Sequence, residues 1–427
     1  MTAAFYTLGC KVNQYETQAL ERLFTQRGHT LVPFDGEADV YVINSCTVTA
    51  VSDKKSRQVV RQARKRAPEA LIALCGCYPQ THPEDMEGLP VDLVAGTGDR
   101  LGFVELVERT YGERRPVTAL DDAMKRRAFE ALPAGGLEGR TRAMLKVEDG
   151  CANFCSYCII PYARGPVRSL PLKDAAAQAA GLAEAGYQEL VLTGIEISSW
   201  GREFRDGSSL IDLVEAVCTA APRCRVRLGS LEPRTVTEEF CARAAGLDNL
   251  CPHFHLSMQS GCDETLRRMN RKYSAARFYE SVALLRRYFD APAVTTDMIV
   301  GFPGETEEEF GQSLDLIRRC AFAAMHIFPY SKRPGTPAAS MSGQVPACVK
   351  EERAGRAAAA AAEMEREYLS AFVGQAAEVL FEEERAGLWW GHTTRYCKVG
   401  VRSGENLHNR LRNVWITGVE NNCLLGE

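Results

Sequence analysis

With 427 residues, 45% of them hydrophobic and 25% charged, the chain is long enough for about two to three domains and balanced like a soluble globular protein. Its net charge of −4 excludes a basic field over the whole surface, so a nucleic-acid partner has to be met by a local patch. No run of about 18 apolar residues offers a membrane span, and residues 1–13 lack a basic stretch followed by an apolar core; a cytoplasmic protein with no membrane partner is expected.

Residues 1–112 alternate short apolar runs with helical patterns: strands over 5–8, 40–43, 71–74 and 91–94, helices over 14–26 and 51–65. Such alternation predicts an open α/β domain with a parallel sheet. A polar stretch with Gly and Pro at 113–136 reads as a linker. Over 137–368 the alternation resumes at wider spacing, with strands over 143–147, 189–193, 225–229, 253–257, 294–300 and 324–329. Intervals of roughly 30 to 45 residues leave room for one crossover helix each, giving a partial (β/α)6 barrel. Thr306 to Glu309 form a capping box, after which Phe310, Leu314 and Ile317 share one face. An Ala-rich helix over 349–372 leads to a small β-barrel at 369–427, with strands over 377–381, 391–396, 397–401 and 414–416 and Trp415 expected in its core.

Sixteen cysteines scattered through such a chain point to reduced thiols and metal ligation rather than disulfides. Cys151, Cys155 and Cys158 follow the first barrel strand directly, at the end where barrel active sites are built. Three thiolates can each hold one iron of a 4Fe-4S cube, leaving the fourth iron open to another ligand. A zinc loop completed by His253 or His255 is the alternative. The Cys-x3-Cys-x2-Cys spacing at this place resembles the radical S-adenosylmethionine (SAM) enzymes. That resemblance implies SAM chelated at the open iron and cleaved, by one electron, to methionine and a 5′-deoxyadenosyl radical.

Cys10, Cys46 and Cys77 each follow a strand of the first domain, where open α/β sheets gather ligands. Cys75 points the same way if its strand continues, and spacing alone does not choose between it and Cys77. The strings Thr-Leu-Gly-Cys-Lys-Val-Asn-Gln-Tyr-Glu-Thr at 7–17, Asn-Ser-Cys-Thr-Val-Thr at 44–49 and Gly-Cys-Tyr-Pro-Gln at 76–80 resemble the N-terminal domain of the methylthiotransferases. The resemblance implies that Cys10, Cys46 and Cys77 hold an auxiliary 4Fe-4S cluster, that Cys75 is spare, and that the last domain is a TRAM-like RNA-binding barrel. Its first string is most similar to the branch acting on N6-threonylcarbamoyladenosine in tRNA. The isopentenyladenosine branch tends to read Gly-Cys-Gln-Met-Asn there, and the branch acting on a ribosomal-protein aspartate Gly-Cys-Pro-Lys-Asn.

The resemblance thus implies methylthiolation of adenine C2 in the tRNA anticodon stem-loop with two SAM, two 4Fe-4S clusters and a one-electron donor of flavodoxin or ferredoxin type. No catalytic residue beyond the clusters is expected. Thr193, Gly194, Ser230, Glu232, Gln259, Arg271, Asp297 and Gly301, at or after successive strand ends, are candidates for the SAM pocket. In the C-terminal barrel, Arg395, Lys398 and Arg402 lie among aromatic residues, a mixture suited to RNA. A basic run from Lys54 to Arg66 is either a phosphate-binding helix or a solvated face. The rival outside enzymes is a zinc-stabilised RNA-binding protein without catalysis.

Overall fold

The computed structural model describes residues 1–135 and 141–427; the junction of expected linker and barrel at 136–140 lies outside the described residues. Six parallel strands open the chain: β1 (Thr2–Thr7), β2 (Thr30–Leu31), β3 (Val40–Ser45), β4 (Leu71–Gly76), β5 (Leu93–Ala95) and β6 (Val117–Ala119), ordered β2-β1-β3-β4-β5-β6. Every residue of β3 and β4 is buried, as continuous apolar runs covered on both faces require. The covering helices are α1 (Lys11–Gln26), α2 (Ala50–Arg66), α3 (Cys77–Thr81) and α4 (Arg100–Glu113). Leu20, Phe24, Phe103 and Val107 pack one face, and Val59, Val60 and Ala63 the other. Strands β2 and β6 were not foreseen. Each is two or three residues long, and β6 turns part of the expected linker into a sheet edge.

The second domain begins with β7 (Arg142–Lys146). A hairpin of β8 (Glu148–Asp149) and β9 (Arg168–Ser169) then brackets the Cys151 loop and α5 (Ile160–Arg164). There follow α6 (Leu172–Glu184), β10 (Glu189–Thr193), α7 (Leu210–Ala220), β11 (Arg225–Leu228), β12 (Ser230–Leu231), α8 (Glu238–Ala245) and β13 (His253–Gln259). The domain ends with α9 (Asp263–Arg268), α10 (Ala275–Tyr288), β14 (Ala293–Val300), α11 (Glu307–Cys320), β15 (Ala324–Pro329), α12 (Pro337–Ser340) and the long α13 (Ala347–Ser370). The strands form two parallel sheets, β11-β10-β7 and β12-β13-β14-β15, bent into a partial barrel. The expected strand at 225–229 breaks at Gly229, whose N–H is drawn to the Leu192 carbonyl at 2.9 Å. Strands β7 and β15 are the free edges among the described residues, and α1 lies against β7. The capping box at Thr306 is formed.

The last domain closes as a five-stranded barrel of β16 (Ala376–Arg385), β17 (Leu388–Thr393), β18 (Lys398–Val401), β19 (Leu411–Glu420) and β20 (Cys423–Gly426). Its core holds Val379, Phe381, Trp389, Val399, Val414 and Ile416. Trp415, expected inside, is 51% exposed: alternation along β19 turns Val414 and Ile416 inward and Trp415 outward. No helix among the described residues is long and apolar enough to cross a membrane.

Candidate active site

The Cys151 loop is braced from several sides. The Cys151 N–H donates to the Gly165 carbonyl (3.0 Å), and the Ser156 N–H and hydroxyl donate to the carbonyls of Met269 (3.0 Å) and Arg268 (2.7 Å). Phe154 has a φ of 47°, and Asn270 secures its carbonyl with a 2.8 Å side-chain bond. Cys155 is buried and accepts from the Arg271 guanidinium at 3.2 Å. Burial raises the Cys151 and Cys158 thiols, Cys158 to about 12; the charge of Cys155 acts on both in the same direction, and that of Cys158 on Cys151. Iron coordination would displace these protons.

Cys10 caps α1, Cys46 follows β3 and Cys77 begins α3, so three strand ends of one sheet bring them together. Burial pushes Cys77 up to about 12, and the charges of Cys46 and Cys10 act on it in the same direction. Gly9, at φ 104°, makes room: a Cβ there would sit 2.8 Å from the Cys46 sulfur. Asn13 ties the loops by donating to the Leu8 (2.8 Å) and Ser45 (2.9 Å) carbonyls. Cys75 packs in the core beneath α4, where Arg100, Glu16 and Arg164 are the charges it senses; β4 ends at Gly76 and Cys77 begins α3, so the strand does not continue to give the two thiols a common direction. Both triads have the donor set of a cube face. Among the described residues, no group of three or more His, Cys, Asp or Glu is placed to hold a single metal ion. His253 lies against Tyr396 at the amino end of β13, the end away from the Cys151 loop.

Between the triads runs a buried ion-pair network that sequence reasoning missed. Glu16, wholly buried, receives Arg164, Lys146 (2.9 Å) and Arg100 (3.1 Å). Asp149 takes Lys146 at 2.8 Å and Arg168 at 3.2 Å. Arg164 also donates to Asn13 at 2.7 Å. Burial alone would raise the Glu16 carboxyl, but Arg164, Lys146 and Arg100 outweigh it and hold it well below the usual range. A second strut joins the domains where buried Arg333 pairs with Asp53 and donates to Thr47, both at 2.6 Å.

The candidate SAM residues line the carboxyl ends of the strands unevenly. Thr193 and Glu232 are buried, and Arg234 pairs with Glu232 at 2.9 Å. Gly194 leaves space that a Cβ would take 2.8 Å from a Glu148 oxygen. Ser230 is exposed, Gln259 ends β13 at φ 64°, and Arg271 lies on Cys155. Asp297 stands 3.4 Å from His255 inside the barrel, while Gly301 donates to Glu305 at 2.7 Å. Two unforeseen carboxyls join this group. Glu148 accepts from the Glu196 N–H at 2.7 Å but leaves its other oxygen buried without a partner, and burial raises both carboxyls. An unmet acceptor beside Cys151 fits an ammonium or hydroxyl donor such as SAM carries. Their signal was position alone, just after β7 and β10.

Below, a cavity of about 570 Å³ is walled by α1 (Lys11, Gln14, Gln18), barrel strands (Arg142, Met144, Val191, Arg227) and the C-terminal barrel (Glu382, Glu383, Tyr396). Lys11 is open to the cavity yet enclosed by protein, and enclosure lowers its ammonium. The 393–396 loop covers the amino ends of the strands. Arg227 donates to the Thr394 carbonyl at 2.8 Å, Arg225 to the His392 carbonyl at 3.2 Å and Arg142 to the Tyr396 hydroxyl at 3.0 Å. Arg395 donates to the Asp290 (2.7 Å) and Ala291 (2.8 Å) carbonyls, which assigns it to domain attachment instead of an outward RNA surface. Lys398 stands over the Trp390 ring at 4.6 Å, and Arg402 is exposed. On α2, Arg57, Arg64 and Arg66 are spent on intradomain bonds, leaving Lys54, Arg61 and Lys65 exposed.

Glu189 anchors this attachment through Arg227 (2.7 Å) and Arg225 (2.8 Å). Burial would raise its carboxyl from 4.5, but the two guanidinium groups bring it down to about 2. A depressed carboxyl stabilises the fold above its unfolded value, by about 3 kcal/mol here, and the gain disappears as pH falls from the unfolded value through the folded one. Urea unfolding followed by tryptophan fluorescence is expected to lose this increment progressively below about pH 4.5. Glu189→Gln should be less stable at pH 7 and lack that acid component.

Residues 145–317 match the Radical SAM superfamily, and residues 2–96 match the Uncharacterized protein family UPF0004. The threonylcarbamoyladenosine tRNA methylthiotransferase MtaB of Bacillus subtilis (strain 168) is 41% identical over 97% of this chain and 93% of its own. That of Thermotoga maritima is 37% identical over 98% and 96%. A tRNA-2-methylthio-N(6)-dimethylallyladenosine synthase of Moorella thermoacetica is 33% identical over 100% and 98%. Among solved structures, the radical S-adenosylmethionine methyltransferase TsrM of Kitasatospora setae shares the fold with a TM-score of 0.58 at 16% identity, over 79% of this chain and 75% of that one. The cobalamin-dependent radical enzyme OxsB does so with 0.55 at 12%, over 86% and 56%.

Proposed function

Because the chain belongs to the radical S-adenosylmethionine methylthiotransferase family, we propose that it methylthiolates C2 of N6-threonylcarbamoyladenosine at position 37 of tRNA; the Bacillus and Thermotoga relatives are named threonylcarbamoyladenosine tRNA methylthiotransferases. Membership brings SAM and a 4Fe-4S cluster. The second cluster, the cytoplasmic setting and a one-electron donor of flavodoxin or ferredoxin type are parts of the proposal.

The observation that supports this reading is the pairing of two cysteine triads across one buried ion-pair network. Cys151, Cys155 and Cys158 would hold the cube that binds SAM, and Cys10, Cys46 and Cys77 the auxiliary cube. When bound, these groups supply one-electron cleavage of a sulfonium and a carrier for sulfur, chemistry that acid–base side chains lack. The chain's own residues orient and enclose. Arg271, which donates to the Cys155 sulfur, would pair with a SAM carboxylate. Glu148, with Glu196 and Glu232 nearby, accepts from the amino or ribose groups. Thr193, Gly194, Ser230, Gln259, Asp297 and Gly301 complete the proposed pocket. Glu16 and its partners fix the separation of the two triads, and Lys398 and Arg402 are the proposed RNA contacts.

Anaerobically purified protein with SAM and a reductant is expected to convert a threonylcarbamoyladenosine stem-loop to its 2-methylthio product, read by nucleoside mass spectrometry. A stem-loop carrying isopentenyladenosine should remain unchanged. Conversion of the second alone would overturn the substrate assignment.

A further inference from the structure

The cavity beneath the triads carries a recognition element that the chemistry at C2 does not use. On α1, Lys11, Gln14 and Gln18 are spaced three and four residues apart, so they project from one helical face, and all three line the cavity. None of the three side chains makes a hydrogen bond or ion pair among the described residues. The other cations on the wall are committed: Arg227 to Glu189 at 2.7 and 3.0 Å, Arg142 to Glu382 at 2.9 Å. Of the carboxylates, Glu382 is also held by His392 at 2.8 Å, and Glu383 is exposed at the rim; neither pairs with Lys11. Among the described residues, the cavity therefore presents one ammonium without a hydrogen-bonded or ion-paired partner and two side-chain amides without hydrogen bonds. Its volume lies within the range of pockets that take small groups.

We infer that Lys11 binds the carboxylate of the threonylcarbamoyl substituent, with Gln14 and Gln18 meeting its ureido and hydroxyl groups. This rests on the substrate reading above. Lys11 adjoins Cys10 and lines the cavity, so an adenine held between the triads could extend its N6 substituent toward α1. The substituent carries one negative charge, one hydroxyl and a urea. An ammonium and two carboxamides complement that set, whereas a purely hydrocarbon substituent would leave all three unpaired. Specificity would arise as much from that penalty as from the attraction.

The test compares holoenzyme with Lys11→Gln and Lys11→Arg variants, each checked for full iron content. Two synthetic anticodon stem-loops serve as probes, one with threonylcarbamoyladenosine and one in which the threonyl carboxylate is a carboxamide. The wild-type protein is expected to bind the acid about ten- to a hundredfold more tightly than the amide, the worth of a charge-assisted bond. Lys11→Gln should erase that preference by weakening the acid far more than the amide, and Lys11→Arg should keep most of it. A Lys11→Gln protein that retains the preference overturns the assignment, as does one that weakens both probes equally, the mark of a phosphate contact. If iron is lost in Lys11→Gln, failure of an iron-replete Lys11→Arg protein to prefer the acid overturns it as well. Wild-type protein that methylthiolates neither probe overturns the substrate reading itself, a separate result.

Discussion

Replacing Cys10, Cys46 and Cys77 together by alanine is expected to remove about half of the roughly eight irons in anaerobically purified protein, if each triad holds one four-iron cube. The variant should still form 5′-deoxyadenosine from SAM but attach no methylthio group to RNA. Replacing Cys151, Cys155 and Cys158 should remove the other half and abolish both reactions. Iron analysis with chromatography of 5′-deoxyadenosine separates these outcomes. Retained methylthiolation without the first triad would refute the division of labour. The expectation rests on where the thiols sit: one set on a loop of the barrel, the other on three strand ends of a different sheet, with Cys75 packed beneath α4.

Glu16→Gln should be the most damaging single change away from the thiols. It keeps the shape of the side chain but removes the negative charge that faces Arg164, Lys146 and Arg100, all buried. Deleting one partner of a buried ion pair costs about 3–5 kcal/mol, because the remaining charges stay desolvated without compensation. Among the described residues, Lys146, Arg164 and Arg168 would then share Asp149 as their one carboxylate partner. Since Glu16 belongs to the first domain and Lys146 and Arg164 to the second, the loss should also loosen the interface. Limited proteolysis should cut between the domains faster than in wild type, and chemical unfolding should begin at lower denaturant. Equal resistance would show that the pairing does not fasten the domains.

The layered plan and the thiol sets were legible because periodicity and spacing are local properties. The partial barrel followed from strand intervals; cysteines after strands point to a second set, but spacing leaves Cys75 and Cys77 open, and the family resemblance selects Cys77. Ion pairing is not local: Glu16 and Arg164 are 148 positions apart, and nothing near either announces the other. Glu148 and Glu196 were missed for a related reason, since a carboxyl after a strand acquires meaning only when its neighbours bury it. Trp415 was misjudged by its size. The neighbours Val414 and Ile416 carried the correct signal, because on a strand the residue between two inward side chains faces out. Arg395 was grouped with the RNA contacts by composition, yet the carbonyls of Asp290 and Ala291 occupy it.

The 393–396 loop lies over the amino ends of the barrel strands, held by Arg142, Arg225 and Arg227. The small terminal module thus closes the barrel from below, a role separate from the RNA contacts proposed for it. A truncated chain ending near residue 370 would lack that floor, giving small thiols, reductants and dioxygen a route from beneath to any carbon-centred radical formed inside.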